Sequence, residues 1–245
     1  MTAAEPTILA TSGGMAPARR TRWEFSPLTD YAVELAGVSG RAPRVCFLAT
    51  AMGDSSEQIR NFYDAALQRG FAPSHLALIP MPNVADPREL LLGQDVIWVL
   101  GGSVAGLLAL WRLHGIGEVM REAWQAGVVL TGVSAGSICW HTGGTTDSYG
   151  PQLRPVTDGL GLVPFSNGVH YDSEPGRRPV FQSLIGDGTL ADGYATEDGT
   201  GVLYRGERFV EAVSEQDGKL AYSVTRSADG KVVEQPLETR LLTSP

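Results

Sequence analysis

An apolar run that begins at Val128 ends in the segment Gly132-Val133-Ser134-Ala135-Gly136. The pattern Gly-x-Ser-x-Gly is typical of a sharp, strained turn from a strand into a helix. Such a turn lifts the serine hydroxyl into the open and aims the positive end of the helix at the group under attack. The sequence therefore predicts a nucleophile elbow with Ser134 as the nucleophile.

Two glycines upstream of the elbow are candidates for stabilising a negatively charged oxygen. Gly101-Gly102 follows another apolar run, and glycines there let backbone amides approach a reacting carbonyl group. The amide of Ala135, directly after the serine, would supply a second donor. An oxyanion hole is one interpretation of the glycine pair, and an ordinary turn from strand to helix is the other.

A nucleophilic serine needs a general base, and the chain has four histidines. A structural or exposed position is the better interpretation for His75 and His114, and His141 is so close to Ser134 in sequence that the helix after the elbow is expected to carry it away from the serine. The fourth, His170, lies in a polar loop after an apolar, strand-like run at 161–165. We therefore expect His170 to be the base.

A carboxylate that orients the histidine should lie further along the chain. The pair Glu197-Asp198 directly precedes a predicted strand and is a good candidate. Asp172 is a rival, although it is very close in sequence to the histidine that it would orient. A solvated turn is the alternative interpretation of Glu197-Asp198-Gly199.

Length and charge limit the classes of protein that fit. The 245 residues are enough for a full hydrophobic core, and no linker divides them, so one domain over residues 1–245 is expected. The net charge of −8 argues against nucleic acid and anionic membranes as partners, because both attract a basic surface. Residues 1–6 do not resemble a signal peptide, and no apolar run reaches about 18 residues, so we expect a cytoplasmic protein.

Metal ligands are not evident in the sequence. The two cysteines, Cys46 and Cys139, lack metal-ligand spacing and are expected to be packed thiols. Neither His-x-x-x-His nor Cys-x-x-Cys occurs. We expect no metal and no other cofactor.

Buried strands alternate with helices in the first two thirds of the chain. Continuous apolar runs predict strands at 6–10, 44–49, 75–79, 95–100 and 128–132. Helical spacing predicts helices at 56–69, 87–92 and, as one long region, 104–127. Short β-like runs follow at 201–204, 209–213, 221–225 and 231–234. This order predicts an α/β fold with a doubly wound, mostly parallel sheet, helices on both faces and a short antiparallel C-terminal extension.

Together these motifs resemble the peptidase E (aspartyl dipeptidase) and cyanophycinase family of serine peptidases. The resemblance covers most of the chain and rests on four segments, namely 99–103 with Leu107-Leu108, 132–136, 170–171 and 197–200. It implies a fold like that of class I glutamine amidotransferases, with Ser134 as nucleophile and His170 as general base. The carboxylate falls on Asp198, where many relatives have glutamate, and Gly102 and Ala135 are implied as the oxyanion donors.

Two positions concern substrate binding. The family usually has asparagine after the glycines, whereas this chain has Ser103. Relatives that cleave after an N-terminal aspartate are expected to pair its side chain with an arginine downstream of the histidine, where this chain has Arg177 and Arg178. An arginine matches a carboxylate with two parallel hydrogen bonds. A surface ion pair is the other interpretation of these arginines.

The resemblance implies hydrolysis of short peptides, with dipeptides that begin with aspartate as the leading substrates. Three alternatives stay open. The protein could be a cyanophycinase-like hydrolase, a carboxypeptidase-like enzyme in which Arg177 or Arg178 grips a C-terminal carboxylate, or a non-catalytic binder of small molecules. The antiparallel extension offers a surface for a homodimer.

Overall fold

Two large β-sheets form the framework of the protein. The structure is a computed structural model that describes residues 3–243. The larger sheet has eight strands, in the spatial order β16 (Thr239–Leu241), β13 (Arg208–Ser214), β12 (Thr200–Arg205), β1 (Thr7–Thr11), β7 (Val129–Val133), β6 (Val96–Val99), β4 (Arg44–Leu48) and β5 (Ala72–His75). The five strands β1, β7, β6, β4 and β5 are all parallel to their neighbours in this series, whereas β12 is antiparallel to both β1 and β13.

Helices cover both faces of the larger sheet. They are α1 (Pro27–Leu35), α2 (Ser56–Gln68), α3 (Pro87–Leu92), α4 (Val104–Leu113) and α5 (Ile116–Gln125). Successive residues of β4 belong to opposite layers: Phe47 packs with Phe62 of α2, and Leu48 lies in the same core cluster as Leu107 of α4. Because both faces are buried, the central strands are continuous apolar runs.

A smaller sheet of six strands lies beyond the elbow in the chain. Its spatial order is β15 (Val232–Pro236), β14 (Ala221–Arg226), β11 (Gly193–Thr196), β10 (Ser166–Gly168), β8 (Gly143–Thr146) and β9 (Arg154–Val156). The helix α7 (Arg177–Gly186) packs Phe181 and Ile185 against Tyr222 and Val224 of this sheet. The remaining elements are the hairpin of β2 (Met15–Pro17) and β3 (Trp23–Phe25), the short helix α6 (Ala135–Ile138) and a 3₁₀ turn at Thr50–Met52.

The predicted fold class is confirmed, but three of the predicted elements need correction. The strand expected at 75–79 is wrong, because the chain pairs with β4 over Ala72–His75 instead. The helical region at 104–127 is two helices, separated at Gly115, which has a left-handed φ of 68°. The apolar run 161–165 is not a strand; the strand is the polar Ser166–Gly168, which is buried between β8 and β11.

The C-terminal region is more than the short extension that the sequence predicts. The strands β12, β13 and β16 extend the larger sheet, whereas β14 and β15 belong to the smaller one. Turn-rich sequence separates all five strands, so hydropathy alone does not assign them to two sheets. The single domain and the homodimer stay predictions, and residues 1, 2, 244 and 245 of the predicted domain 1–245 lie outside the described range.

Both cysteines are packed thiols, as predicted. Cys46 and Cys139 are buried and unpaired, and burial raises the pKa of Cys46 to about 12. Within residues 3–243, no helix combines the length and the apolar character needed to cross a membrane.

Candidate active site

Ser134 lies on a strained turn between β7 and α6. Its φ is 56° and its ψ is −114°, a backbone conformation that side chains other than glycine rarely adopt. The two flanking glycines allow this turn to press against β6. A Cβ atom on Gly136 would lie 2.1 Å from the carbonyl oxygen of Val99, and one on Gly132 would lie 2.6 Å from the same oxygen. The Gly-x-Ser-x-Gly pattern is therefore a packing requirement of this elbow.

The glycine loop after β6 lies against the elbow. A Cβ atom on Gly101 would lie 3.1 Å from the Cβ of Ser134. Gly102 has a φ of +132°, and a Cβ on it would lie 2.5 Å from the carbonyl oxygen of Ala51. Among residues 3–243, the amides of Gly102 and Ala135 donate no hydrogen bond. Both amides are available to a ligand beside Ser134.

Ser103 has a structural role that the sequence does not reveal. Its Oγ accepts a hydrogen bond from the amide of Gly106 at 3.1 Å and so caps the N-terminus of α4. The residue also borders the cleft that contains Ser134. Asparagine is equally able to cap a helix at this position, so the departure from the family pattern preserves the cap.

His170 and Asp198 form a hydrogen-bonded pair. The distance from His170 Nδ1 to Asp198 Oδ1 is 2.6 Å. The two residues follow the neighbouring parallel strands β10 and β11, so their loops meet at the same edge of the smaller sheet. His170 has a left-handed φ of 52°. Sequence reasoning identified both members of this pair.

The end of β1 connects the pair to the serine. The amide of Ser134 donates to the carbonyl oxygen of Thr11 at 3.2 Å, and the amide of His170 donates to Ser12 Oγ, also at 3.2 Å. In the described part of the chain, no hydrogen bond joins Ser134 Oγ to the His170 ring. Hydrogen bonds of this kind often become short only when a substrate is bound.

The rival carboxylates have other partners. Asp172 accepts a hydrogen bond from the amide of Asp198 at 2.9 Å and forms an ion pair with Lys219. Burial raises the pKa of Asp172, but Lys219 and that amide outweigh burial and lower it overall. Glu197 accepts from the amide of Leu220 at 3.0 Å and from the Tyr222 hydroxyl at 2.8 Å. Asp198 is thus the one of the three candidates that contacts His170.

The other histidines have the structural or exposed positions expected from the sequence. His141 is fully buried, and burial lowers its pKa to about 4. Its ring nitrogens lie 2.9 Å from the Ser137 carbonyl oxygen and 3.1 Å from the Tyr204 hydroxyl. His75 is hydrogen-bonded to Tyr63, and His114 is exposed at the C-terminus of α4.

A cleft of about 460 Å³ opens beside Ser134. Its lining consists of Gly102, Ser103, Ser134, Asp147, Ser148, Glu174 and Arg177. The Arg177 side chain is only 4% exposed; its Nε donates to Glu174 at 2.6 Å and its Nη1 to the Thr145 carbonyl oxygen at 2.7 Å. Its Nη2 lies 3.8 Å from an Asp147 oxygen. The cleft therefore contains one fixed cation between two carboxylates.

Arg177 and Arg178 were both candidates for substrate binding, but Arg178 does not line this cleft. Successive residues of α7 point in different directions, and Arg178 instead pairs with Glu234 on the smaller sheet. Asp147 and Glu174 are cleft residues that sequence reasoning missed. Both lie in loops without a motif, so no local signal marks them.

Comparisons with solved structures place this fold among peptidases. A candidate peptidase E protein from Listeria monocytogenes EGD-e aligns with a TM-score of 0.62 and 20% identity, over 84% of this chain and 98% of its own. A peptidase from an acI-B1 actinobacterium aligns with a TM-score of 0.66 and 18% identity, over 96% of this chain and 95% of its own. These similarities show the fold alone.

Sequence comparison identifies the family. The profile of peptidase family S51 matches residues 8–212. The uncharacterized peptidase YgaJ of Bacillus subtilis strain 168 is 40% identical over 200 residues, which are 82% of this chain and 85% of that protein. Peptidase E of Shewanella denitrificans is 30% identical over 112 residues, which are 45% of this chain and 48% of that protein. The chain belongs to peptidase family S51, the peptidase E family of serine peptidases.

The close contact at the elbow predicts the effect of a single methyl group. Gly136→Ala should lower the free energy of unfolding by about 3 kcal/mol, because the new Cβ overlaps backbone atoms of Val99 that cannot move independently of the sheet. Gly117→Ala is the matched control, since its Cβ would meet only the movable side chain of Leu160 in a helix. Urea denaturation measures both variants. Equal losses in the two variants would contradict the packing argument.

Proposed function

We propose that this peptidase hydrolyses dipeptides and other short peptides that begin with aspartate, using Ser134, His170 and Asp198 as a catalytic triad. The main support is the 2.6 Å hydrogen bond between His170 Nδ1 and Asp198 Oδ1. The backbone amides of His170 and Ser134 are both bonded to residues at the end of β1, namely Ser12 and Thr11. An orienting carboxylate on Nδ1 leaves Nε2 of the imidazole free to accept a proton.

The reaction is acyl transfer. His170 takes the hydroxyl proton of Ser134 as Oγ attacks the peptide carbonyl carbon, and the same proton passes to the leaving amine. The amides of Gly102 and Ala135 hold the tetrahedral oxyanion. Asp198 fixes the tautomer of the imidazole and stabilises its positive charge. Water then releases the acyl group by the same steps in reverse order.

The charges in the cleft support an N-terminal aspartate as the residue that is bound. Such a residue carries an ammonium group and a carboxylate close together. Arg177 can meet the carboxylate, and the exposed carboxylates of Asp147 and Glu174 can meet the ammonium group. The volume of about 460 Å³ suits a short peptide.

A cyanophycinase-like activity is a second candidate, because the same carboxylates could bind an arginine side chain of the substrate. Asp147 and Glu174 outnumber the single cation Arg177 in the lining of the cleft. Cyanophycin, a β-linked polymer of aspartate and arginine, would present such side chains. The same serine chemistry applies to both candidates.

A substrate panel tests the proposal. We expect wild-type protein to cleave Asp-Leu and Asp-Ala, to cleave Ala-Leu and N-acetyl-Asp-Leu poorly, and to leave cyanophycin intact. Ser134→Ala should lower the rate at least about a thousandfold, with unchanged circular dichroism. Activity that persists in Ser134→Ala would refute the elbow serine as nucleophile. Cleavage of cyanophycin alone would favour the second candidate, and no cleavage at all would favour the non-catalytic alternative.

The identity of the triad acid has its own test. Asp198→Asn should lower kcat about a hundredfold or more, because an amide cannot hold the imidazolium that forms during the reaction. Asp172→Asn is the matched control, since its carboxylate contacts the amide of Asp198 and Lys219 but not the His170 ring. Its loss should be at least about tenfold smaller. The reverse order of losses would move the triad acid to Asp172.

Substrate selectivity distinguishes the two arginines. Arg177→Met should lower the ratio of kcat/KM for Asp-Leu to that for Ala-Leu by about tenfold or more, because the partner of the acidic side chain is lost. Arg178→Met should leave this ratio unchanged, since Arg178 does not line the cleft. Thermal unfolding of each variant checks its fold. An equal loss on both dipeptides in Arg177→Met would refute the role of Arg177 in aspartate recognition.

A further inference from the structure

Glu234 collects three hydrogen-bond donors at the side of the smaller sheet. Its carboxylate accepts from the Tyr171 hydroxyl at 2.6 Å, from Gln182 Nε2 at 2.6 Å and from the Arg178 guanidinium. The Glu234 side chain is 15% exposed. Burial raises its pKa, but the three donors outweigh burial and lower it overall. Glu234 is therefore a charged anchor on β15.

Arg178 connects this anchor to two tyrosine rings. Its Cζ lies 5.3 Å from the ring centre of Tyr171 and 4.8 Å from that of Tyr222. The two rings lie 5.6 Å apart. A guanidinium at these distances is attracted to the faces of both rings. The contact holds Tyr171 and Tyr222 in a fixed relation to each other.

Each tyrosine is connected to one member of the His170–Asp198 pair. Tyr171 directly follows His170 in the chain, and its amide donates to the Thr196 carbonyl oxygen at 3.1 Å. Tyr222 donates its hydroxyl to Glu197, which directly precedes Asp198. Tyr171 is thus linked to His170 by a peptide bond, and Tyr222 is linked to Asp198 by one hydrogen bond and one peptide bond.

His170 needs such support because its backbone is strained. A non-glycine residue rarely adopts a φ of 52°, and this conformation persists only where surrounding contacts hold it. The amide of His170 has one such contact, with Ser12. The neighbouring Tyr171, which is 3% exposed and bonded to Glu234, supplies another.

We propose that Tyr171, Arg178, Tyr222 and Glu234 form a clamp that positions His170 and Asp198 for proton transfer. The four are positioning residues: they act on the reaction through the pair and touch neither the cleft nor Ser134. The inference rests on the proposed function, because the pair matters only if His170 is the base.

The same three residue types make the same contacts between α1 and the larger sheet, and this second group is a natural control. The Tyr31 hydroxyl donates to Glu211 at 2.5 Å, Arg240 pairs with Glu211 at 2.8 Å, and the Arg240 guanidinium lies 5.0 Å from the Tyr31 ring centre. Glu211 and Arg240 line another cavity, and within residues 3–243 none of the three is hydrogen-bonded to His170 or Asp198.

The test compares Tyr171→Phe with Tyr31→Phe, two changes that each remove one hydroxyl and keep the ring. Three quantities are measured: the rate at which a fluorophosphonate labels Ser134, kcat and KM for Asp-Leu, and the midpoint of urea unfolding. Fluorophosphonate reacts only with an activated serine, so its rate reports on the base without depending on the peptide that is chosen.

We expect both variants to lose similar stability. Tyr171→Phe should lower the labelling rate and kcat about tenfold with KM within about twofold, since a small displacement of a base costs rate rather than binding. Tyr31→Phe should leave labelling and kcat at the wild-type level. Arg178→Met should reproduce the kinetic loss, and Arg178→Lys, which keeps a cation over both rings, should restore most of it.

Each result bears on the proposal. Wild-type labelling rates in both Tyr171→Phe and Arg178→Met would overturn the clamp. Equal kinetic losses in Tyr171→Phe and Tyr31→Phe would overturn the positioning role and show that the four residues contribute only to stability. Wild-type protein that does not label at all would overturn the serine mechanism and the clamp together. Labelling without cleavage of any peptide would overturn only the substrate, and the labelling rates would still decide the clamp.

Discussion

Two consecutive residues at the end of β1 hold the backbones of Ser134 and His170. The Thr11 carbonyl oxygen receives the amide of Ser134, and Ser12 Oγ receives the amide of His170. Both hydrogen bonds are 3.2 Å long. Thr11 and Ser12 are buried, and an unpaired polar group in the interior is costly. The two hydrogen bonds join two residues of the proposed active site that follow strands of different sheets, Ser134 after β7 of the larger sheet and His170 after β10 of the smaller one.

Near these two hydrogen bonds, glycines allow backbone groups to approach one another closely. The elbow crosses β6 where only glycine fits, and the loop at Gly102 touches the carbonyl oxygen of Ala51. Oxyanion stabilisation requires amides that point at one spot and are not already bonded. The amides of Gly102 and Ala135 meet the second of these requirements, because neither has a protein acceptor among the described residues. At Gly102, the close approach to Ala51 and the free amide occur in the same residue.

Much of this could be predicted from the sequence, because the relevant signals are local. The parallel strands are continuous apolar runs, and the elbow is a fixed pattern of five residues. The strand Ser166–Gly168 is not predicted, because it is polar although it is buried. The side chain of Asn167 tolerates burial since it is hydrogen-bonded to Ser137 and to the Tyr194 carbonyl oxygen. Hydropathy does not register such a strand. The smaller sheet was therefore not foreseen as a separate sheet.

Other parts of the site depend on direction and on distant partners. Arg177 and Arg178 are adjacent and identical in type, and only the rotation of α7 sends one into the cleft and the other onto the tyrosines. Asp198 and Asp172 are likewise distinguished only by which of them reaches His170. The sequence narrows such choices to two or three residues, and three-dimensional contacts decide among them.

The division of the site between two sheets links its chemistry to the mechanics of the whole molecule. Ser134 follows a strand of the larger sheet, and His170 and Asp198 follow strands of the smaller one. A slide of one sheet past the other by about 1 Å would leave each sheet intact and yet separate the proposed nucleophile from the proposed base. Pressure or a cosolvent that loosens the packing between the two sheets would thus abolish activity before the protein unfolds. Activity is then a more sensitive gauge of the packing between the sheets than any spectroscopic measure of secondary structure.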